Sequence, residues 1–310
     1  MNTCHVTLAR SFAETISLEA TIPFAPPIIM AHIFSGGIQL PLDVIHLIMS
    51  ELSSDEDISS LKACSLTCKA ILPLARKYIF ATVKVDNAEG WELGEKPPAD
   101  RFKWLLESDP SIADYIRRFK YVELMNSNHD RPRWPDLRNA TSLEFGYSYY
   151  KDYDGPSQQT WTNIPVSLRI SVCTLVSSTS IKELSFYNIS FPAVSLFHQI
   201  PHITSLELDN VSFAEATDLR GLQKAKLTRL LICNTLTRDS RSLLGGAFDL
   251  TQLQELSIEF LDFEHPENWT VVGNFISASE QLQSLSFQGE SLTFVTSTLN
   301  TWQLTCRISE

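Results

Sequence analysis

One short apolar phrase returns five times in the C-terminal half of the chain, and it limits the possible folds more than any other feature. IKELSFYNISF, ITSLELDNVSF, LTRLLICNTLT, LQELSIEFLDF and LQSLSFQGESL begin at Ile181, Ile203, Leu227, Leu253 and Leu282, at intervals of 22, 24, 26 and 29 residues. In each, apolar residues hold the first, fourth and sixth positions, and the last two are spaced as one face of a β-strand. A strand that recurs at such a period cannot bury that face alone, so the units must stack side by side around a shared core. Two earlier segments fit the pattern more loosely, IRRFKYVEL from Ile116 and ATSLEFGY from Ala140.

The interval from Ala140 to Ile181 is 41 residues, so one unit carries an insertion near 147–165. Its Asp-Gly-Pro cluster signals a turn, and its length suits a functional loop. Tyr149, Tyr150 and Trp161 in it offer rigid aromatic area to a partner, or else pack on one another within the loop. At the eighth position three consecutive units place Asn188, Asn210 and Asn234, where a side-chain amide can bond the turning backbone. At the eleventh stand Phe191, Phe213, Phe263 and Leu292, apolar residues expected in the core beneath the turn. Alternation sends the second, third, fifth and seventh positions to the opposite face, where five acids outnumber two bases. That face is expected to hold a protein partner with a basic or polar patch through Tyr187, Glu207, Asp209, Arg229, Leu231 and Glu259. At the far end LNTWQLTCRISE matches the strand pattern from Leu299, only 17 residues after Leu282. It begins either an irregular last strand or the remnant of a longer array.

The N-terminal part is of another kind. Residues 1–37 read as a weakly ordered leader, without the basic and apolar regions of a signal peptide or the arginine richness of a transit peptide. LPLDVIHLIMSEL then opens a helix, with Pro41 at its first turn and Asp43 complementing the helix dipole. Its apolar residues Leu42, Val44, Ile45, Leu47, Ile48, Met49 and Leu52 cover more than the one stripe a surface helix buries, so a surplus face wants a partner. A second helix is expected through Ile58, Leu61 and Leu66, and a third through Leu72, Leu74 and Phe80. Residues 86–115 form a connection whose short helical pattern, Phe102, Leu105 and Leu106, reads as a cap on the first strand unit.

The LP-x-[DE] helix start, the Ile-x-x-x-Leu and Asp-Ile-x-x-Leu spacings and the CSLTCK run together resemble an F-box, over residues 38–85. The resemblance implies that Leu40, Pro41, Ile45, Ile48, Leu52, Leu61, Leu66 and Cys68 form the surface for a Skp-type adaptor, and through it a cullin. The family commonly has Trp shortly after the Cys-Lys pair, where this chain has Ile71. The strand units have the period of leucine-rich repeats. The whole order resembles F-box/leucine-rich-repeat proteins, including divergent fungal forms, and implies an α/β fold: a three-helix F-box-like module followed by an irregular solenoid over 116–310 with a parallel sheet.

With 36 Asp and Glu against 25 Lys and Arg, a net charge of −11, the chain lacks the basic excess of a nucleic-acid binder. Six scattered cysteines form no disulfide framework, and no apolar run is long enough to suggest a membrane span. A cytoplasmic or nuclear protein is expected. Hydrolase, nucleotide-binding and dehydrogenase motifs are lacking. His198 and His202 have a metal-pair spacing, but Pro201 interrupts the helix such a pair needs. Neither a cofactor nor a metal is expected. The leading expectation is therefore a non-catalytic substrate receptor of a cullin-type ubiquitin ligase. The alternatives are a ligase-independent interaction scaffold and an enzyme with its site in the aromatic loop.

Overall fold

The computed structural model describes residues 41–54, 58–67, 71–88, 96–125, 133–134, 136–148, 158–193, 197, 200–215, 224–234, 248–259, 266–288 and 304–307. Leu40, Cys68, Tyr149, Tyr150, His198, Phe263 and Leu292, and the leader, lie outside them.

The described residues form a mixed α/β fold of six α-helices and a parallel sheet. Three helices come first: α1 (Leu42–Ser54), α2 (Ile58–Thr67) and α3 (Leu72–Ile79). They close on a small core of Met49, Leu61, Cys64, Ile71 and Ala75, with Ile45, Leu52, Ile58, Leu74 and Tyr78 half-buried around it. A unit of this size has little core of its own. It leans on the sheet: Ile79 packs against both cores, and Arg76 of α3 donates to Asp109 at 2.8 Å. Asp109 is held below the usual carboxylate pKa, first by the Ser111 hydroxyl and then by the Arg76 charge.

The sheet starts earlier than the sequence pattern suggests. β1 (Thr82–Asp86) pairs with β2 (Arg118–Leu124), so the first strand lies inside the stretch assigned to the helical module. Helix α4 (Pro98–Ser108) follows that strand and buries Phe102 and Leu106, as the helical return of a unit whose strand precedes it. Then come β3 (Ser142–Ser148), the two-residue β4 (Gln159–Thr160), α5 (Val166–Val176), β5 (Glu183–Ala193), β6 (Ser205–Glu215), β7 (Ala225–Lys226), β8 (Arg229–Cys233), β9 (Phe248–Asp249), β10 (Glu255–Glu259), α6 (Pro266–Ala278), β11 (Ser284–Gln288) and β12 (Leu304–Arg307). The strand order is β1-β2-β3-β5-β6-β8-β10-β11-β12, every pairing is parallel, and β4 pairs with the far end of β5. β7 and β9 pair separately. Leu304 stands opposite Leu285, the fourth position of its unit, two residues later in register than a unit starting at Leu299 would place it.

The pairing register turns the repeat into rows. Val83, Phe119, Leu143, Leu184, Leu206, Leu230, Leu256 and Leu285 form one row, and Val85, Tyr121, Phe145, Phe186, Leu208, Ile232 and Ile258 another, all buried. Each such side chain is worth about 1.5–3 kcal/mol on burial, and each touches its counterpart in the next unit, so stability is shared between neighbours. Phe102, Leu106, Leu168, Val172, Phe275 and other helix residues complete this core. The opposite face of the sheet carries no described helix.

Asn188, Asn210 and Asn234 have φ of 57°, 49° and 50°, the left-handed region that Asn tolerates better than most residues. Their amides reach across units as well as along the chain. Asn188 Nδ2 donates to the Tyr147 carbonyl at 2.7 Å, Asn210 Nδ2 donates to Asn188 Oδ1 at 2.8 Å, and Gln158 Nε2 donates to both oxygens of Asn210. Asn188 and Asn210 thus redirect the backbone in the middle of β5 and β6, Asn234 does so just past β8, and the Asn188 and Asn210 amides bind successive units together. Phe191 and Phe213 stack 5.9 Å apart in the core just beyond.

Candidate functional site

Two surfaces stand out, one on the helices and one on the sheet. On α1, Ile45, Met49 and Leu52 recur at helical spacing and face the module's own core, Met49 wholly buried. Val44, Leu47 and Ile48 form a second stripe, with exposures of 38%, 63% and 41%. Helix α2 adds Leu66, 75% exposed. Single exposed apolar residues need no explanation, but a helix with two apolar stripes, only one of them buried, does.

Of the residues that the F-box resemblance implies for adaptor contact, Pro41, Ile48 and Leu66 are exposed and Ile45 and Leu52 half-buried. Leu61 is a correction: its side chain is 0% exposed, on the inner side of α2 with Met49, Cys64, Ile71 and Ala75, where it holds the helices together and reaches no partner. Ile71, standing in place of the usual Trp, is likewise buried. Val44 and Leu47 are exposed apolar residues of this helix that the motif does not name. A rotation of 100° per residue separates them from Ile45, Met49 and Leu52, a signal already present in the order of residues.

On the sheet, the register sets two rows on the open face. One runs Lys84, Lys120, Glu144, Ser185, Glu207, Leu231, Ser257 and Ser286; the other runs Asp86, Val122, Gly146, Tyr187, Asp209, Cys233 and Glu259. The β1–β5 half is internally neutralised. Lys84 pairs with Asp86 at 2.7 Å, and Lys120 pairs with Glu144 while standing 5.5 Å from the centre of the Tyr187 ring. That ring lies across Gly146, its register partner, where an added Cβ would overlap the ring carbons and the Tyr187 carbonyl. The absent side chain is therefore what lets Tyr187 lie down. Its hydroxyl is buried with no hydrogen-bond partner among the described residues. Burial first, then Glu144 and Asp86, raise the phenol pKa and keep it neutral.

The β6–β10 half is acidic. Glu207 accepts from Ser185 and Asp209 is bonded to Asn234, while the Cys233 thiol donates to Glu259 at 3.5 Å. Partial desolvation in this crowded surface raises the pKa of Glu207, with Glu144 adding to it; desolvation and then Glu259 do the same to Asp209. Burial and the nearby carboxylates push the Cys233 thiol up, so it stays in the protonated, weakly nucleophilic form. Arg229 faces Glu255 at 3.5 Å, one row away, both well exposed.

The structure thus brings together Tyr187, Glu207, Asp209, Arg229, Leu231 and Glu259 on one face. It does not bring Trp161 there. The β4–β5 pairing and a 3-10 turn carry that indole to the core side, half-buried, its ring 5.0 Å from Phe191 and 6.4 Å from Phe145, so it packs against the core and stands away from the open face. Among the described residues no group of three or more His, Cys, Asp or Glu is arranged to hold a metal ion, and no helix is long and apolar enough to cross a membrane. No family model, curated protein or solved structure matches the chain.

Proposed function

We propose that this chain is the substrate-recognition subunit of a cullin-type ubiquitin ligase, an F-box/leucine-rich-repeat protein. Its helical module docks a Skp-type adaptor, and the open sheet face holds a target protein for transfer carried out by other subunits. The observation that carries the reading is the second apolar stripe of α1, Val44, Leu47 and Ile48, on a helix whose first stripe already fills the module's core. Exposed apolar area of this kind is what an adaptor contact buries. The protein's part is geometry: the module and the sheet are fastened through Ile79 and the Arg76–Asp109 bond, so a target on the sheet is held at a set distance from the adaptor.

A second reading rests on the same fastening. A module that shares Ile79 with the sheet core also serves as an end cap, and a ligase-independent scaffold needs no more of it. Co-purification separates the two. The full chain is expected to retain Skp-type adaptor and cullin on affinity resin, and Leu47→Asp/Ile48→Asp, with unchanged circular dichroism, to lose both. A folded parent that retains neither favours the scaffold.

A further inference from the structure

The sheet face has two halves of different electrostatic character. In the β1–β5 half the two central lysines each have an anion: Lys84 with Asp86, and Lys120 with Glu144. In the β6–β10 half, Glu207, Asp209 and Glu259 form no ion pair with a described cation, and Arg229, one row away, faces Glu255. The register places Asp209, Cys233 and Glu259 on adjacent strands of one row, so the two carboxylates stand two strand spacings apart, about 10 Å. Glu207 lies on the strand of Asp209 two residues back, beside half-buried Leu231. The surface therefore offers anions at two ends with an apolar floor between them.

We infer that the strip formed by Glu207, Asp209, Leu231 and Glu259 receives a segment of the target protein that carries two lysine or arginine side chains about 10 Å apart with an apolar residue between them. The inference rests on reading the open face as the target surface and specifies what it selects. Complementarity argues for this occupant: Arg229 offsets only part of the charge on Glu207, so an acidic partner would add to the excess of carboxylates, whereas a basic one supplies counter-charges. The raised pKa values of Glu207 and Asp209 come first from desolvation and then from a neighbouring carboxylate, Glu144 for Glu207 and Glu259 for Asp209, and a bound cation offsets both. The apolar floor separates a protein segment from a bare cation, which gains nothing from Leu231. The Tyr187 end, where Lys120 faces the ring and pairs with Glu144, stays outside the footprint.

The test uses the full chain and a fluorescein-labelled alanine-rich helical peptide with two arginines about 10 Å apart along its axis and a leucine between them. The same peptide with glutamate for arginine is the first control. The variant Glu207→Gln/Asp209→Asn/Glu259→Gln removes the three charges without changing shape. The variant Glu107→Gln/Asp136→Asn/Glu280→Gln removes as much charge at exposed positions elsewhere. Binding of the arginine peptide by the parent, weakened about tenfold or more in the first variant and unchanged in the second, supports the inference. Equal weakening in both variants reduces the effect to net charge and overturns it. So does competition by calcium chloride through the same three residues, which would make the strip a cation site, and so does a parent that binds neither peptide. Adaptor co-purification is read separately, so the ligase reading and this one fail independently.

Discussion

Replacing Asn188 by alanine and by glycine tests the junctions between units through the sign of a difference. Both substitutions remove the donation to the Tyr147 carbonyl at 2.7 Å and the acceptance from Asn210 Nδ2 at 2.8 Å. At about 1 kcal/mol net for each bond, either variant should lose about 2 kcal/mol. The two differ in backbone. At φ 57° alanine pays the left-handed penalty of about 1–2 kcal/mol, from which glycine is exempt. Glycine instead costs about 0.5–1 kcal/mol through the greater freedom of the unfolded chain. The balance makes Asn188→Ala less stable than Asn188→Gly by up to about 1.5 kcal/mol. At Ser185, an ordinary strand position of negative φ, the order must be the usual one, alanine above glycine. Urea unfolding followed by circular dichroism, with the four variants compared at constant slope, gives the differences directly. An alanine variant at 188 more stable than the glycine variant, the order expected at Ser185, would refute the claim that these asparagines are selected for backbone direction as well as for their amides.

Three further outcomes follow from the geometry. Phe213→Asp buries an unpaired charge between Phe191 and Phe197 and should cost about 3–5 kcal/mol or more, seen as loss of the cooperative thermal transition; full retention would refute the register. Gly146→Ala forces the Tyr187 ring and carbonyl away and should destabilise by about 1–3 kcal/mol, where alanine for glycine on an open strand face stabilises; a raised melting temperature would refute the account of that site. Glu207→Gln/Asp209→Asn should stabilise the fold at neutral pH. Both carboxyls have folded-state pKa values above the ordinary ones, so their ionised forms oppose folding, and that penalty fades as pH falls through the raised values toward the unfolded ones. The gain should therefore shrink on acidification; a gain that grows instead would contradict the sign.

Where the chain repeats itself, residue order and structure agree closely. β5, β6, β8, β10 and β11 each begin two residues after the first apolar residue of a unit, because the fourth and sixth positions are the two inward side chains that a parallel ladder stacks. β1 was hidden because its leading apolar residue, Phe80, also completes the helical pattern of the third helix, so nothing in so short a run separates it from the module. The core-side position of Trp161 is hidden in the sequence for a different reason. Aromatic residues in a long insertion look alike whether they face solvent or core, and only the β4–β5 pairing decides which. The helical surface was half legible. The surplus of apolar residues on α1 showed in the sequence, but matching a motif assigned Leu61 outward, where the helix angle puts it inside, and passed over Leu47. Charge pairing on the open face depends on which strands are neighbours, as with Lys120 and Glu144, which are 24 residues apart in the chain.

The most direct test of the proposed role is calorimetric titration of purified Skp-type adaptor into the full chain, into Leu47→Asp/Leu66→Asp, and into Asp209→Asn. Leu47 and Leu66 are exposed, so the double variant should fold within about 0.5 kcal/mol per site of the parent while losing measurable binding. Asp209→Asn should bind as the parent does, with the negative heat-capacity change that marks buried apolar surface. Equal binding by all three proteins, or heat from none, would contradict the assignment of the second apolar stripe to an adaptor.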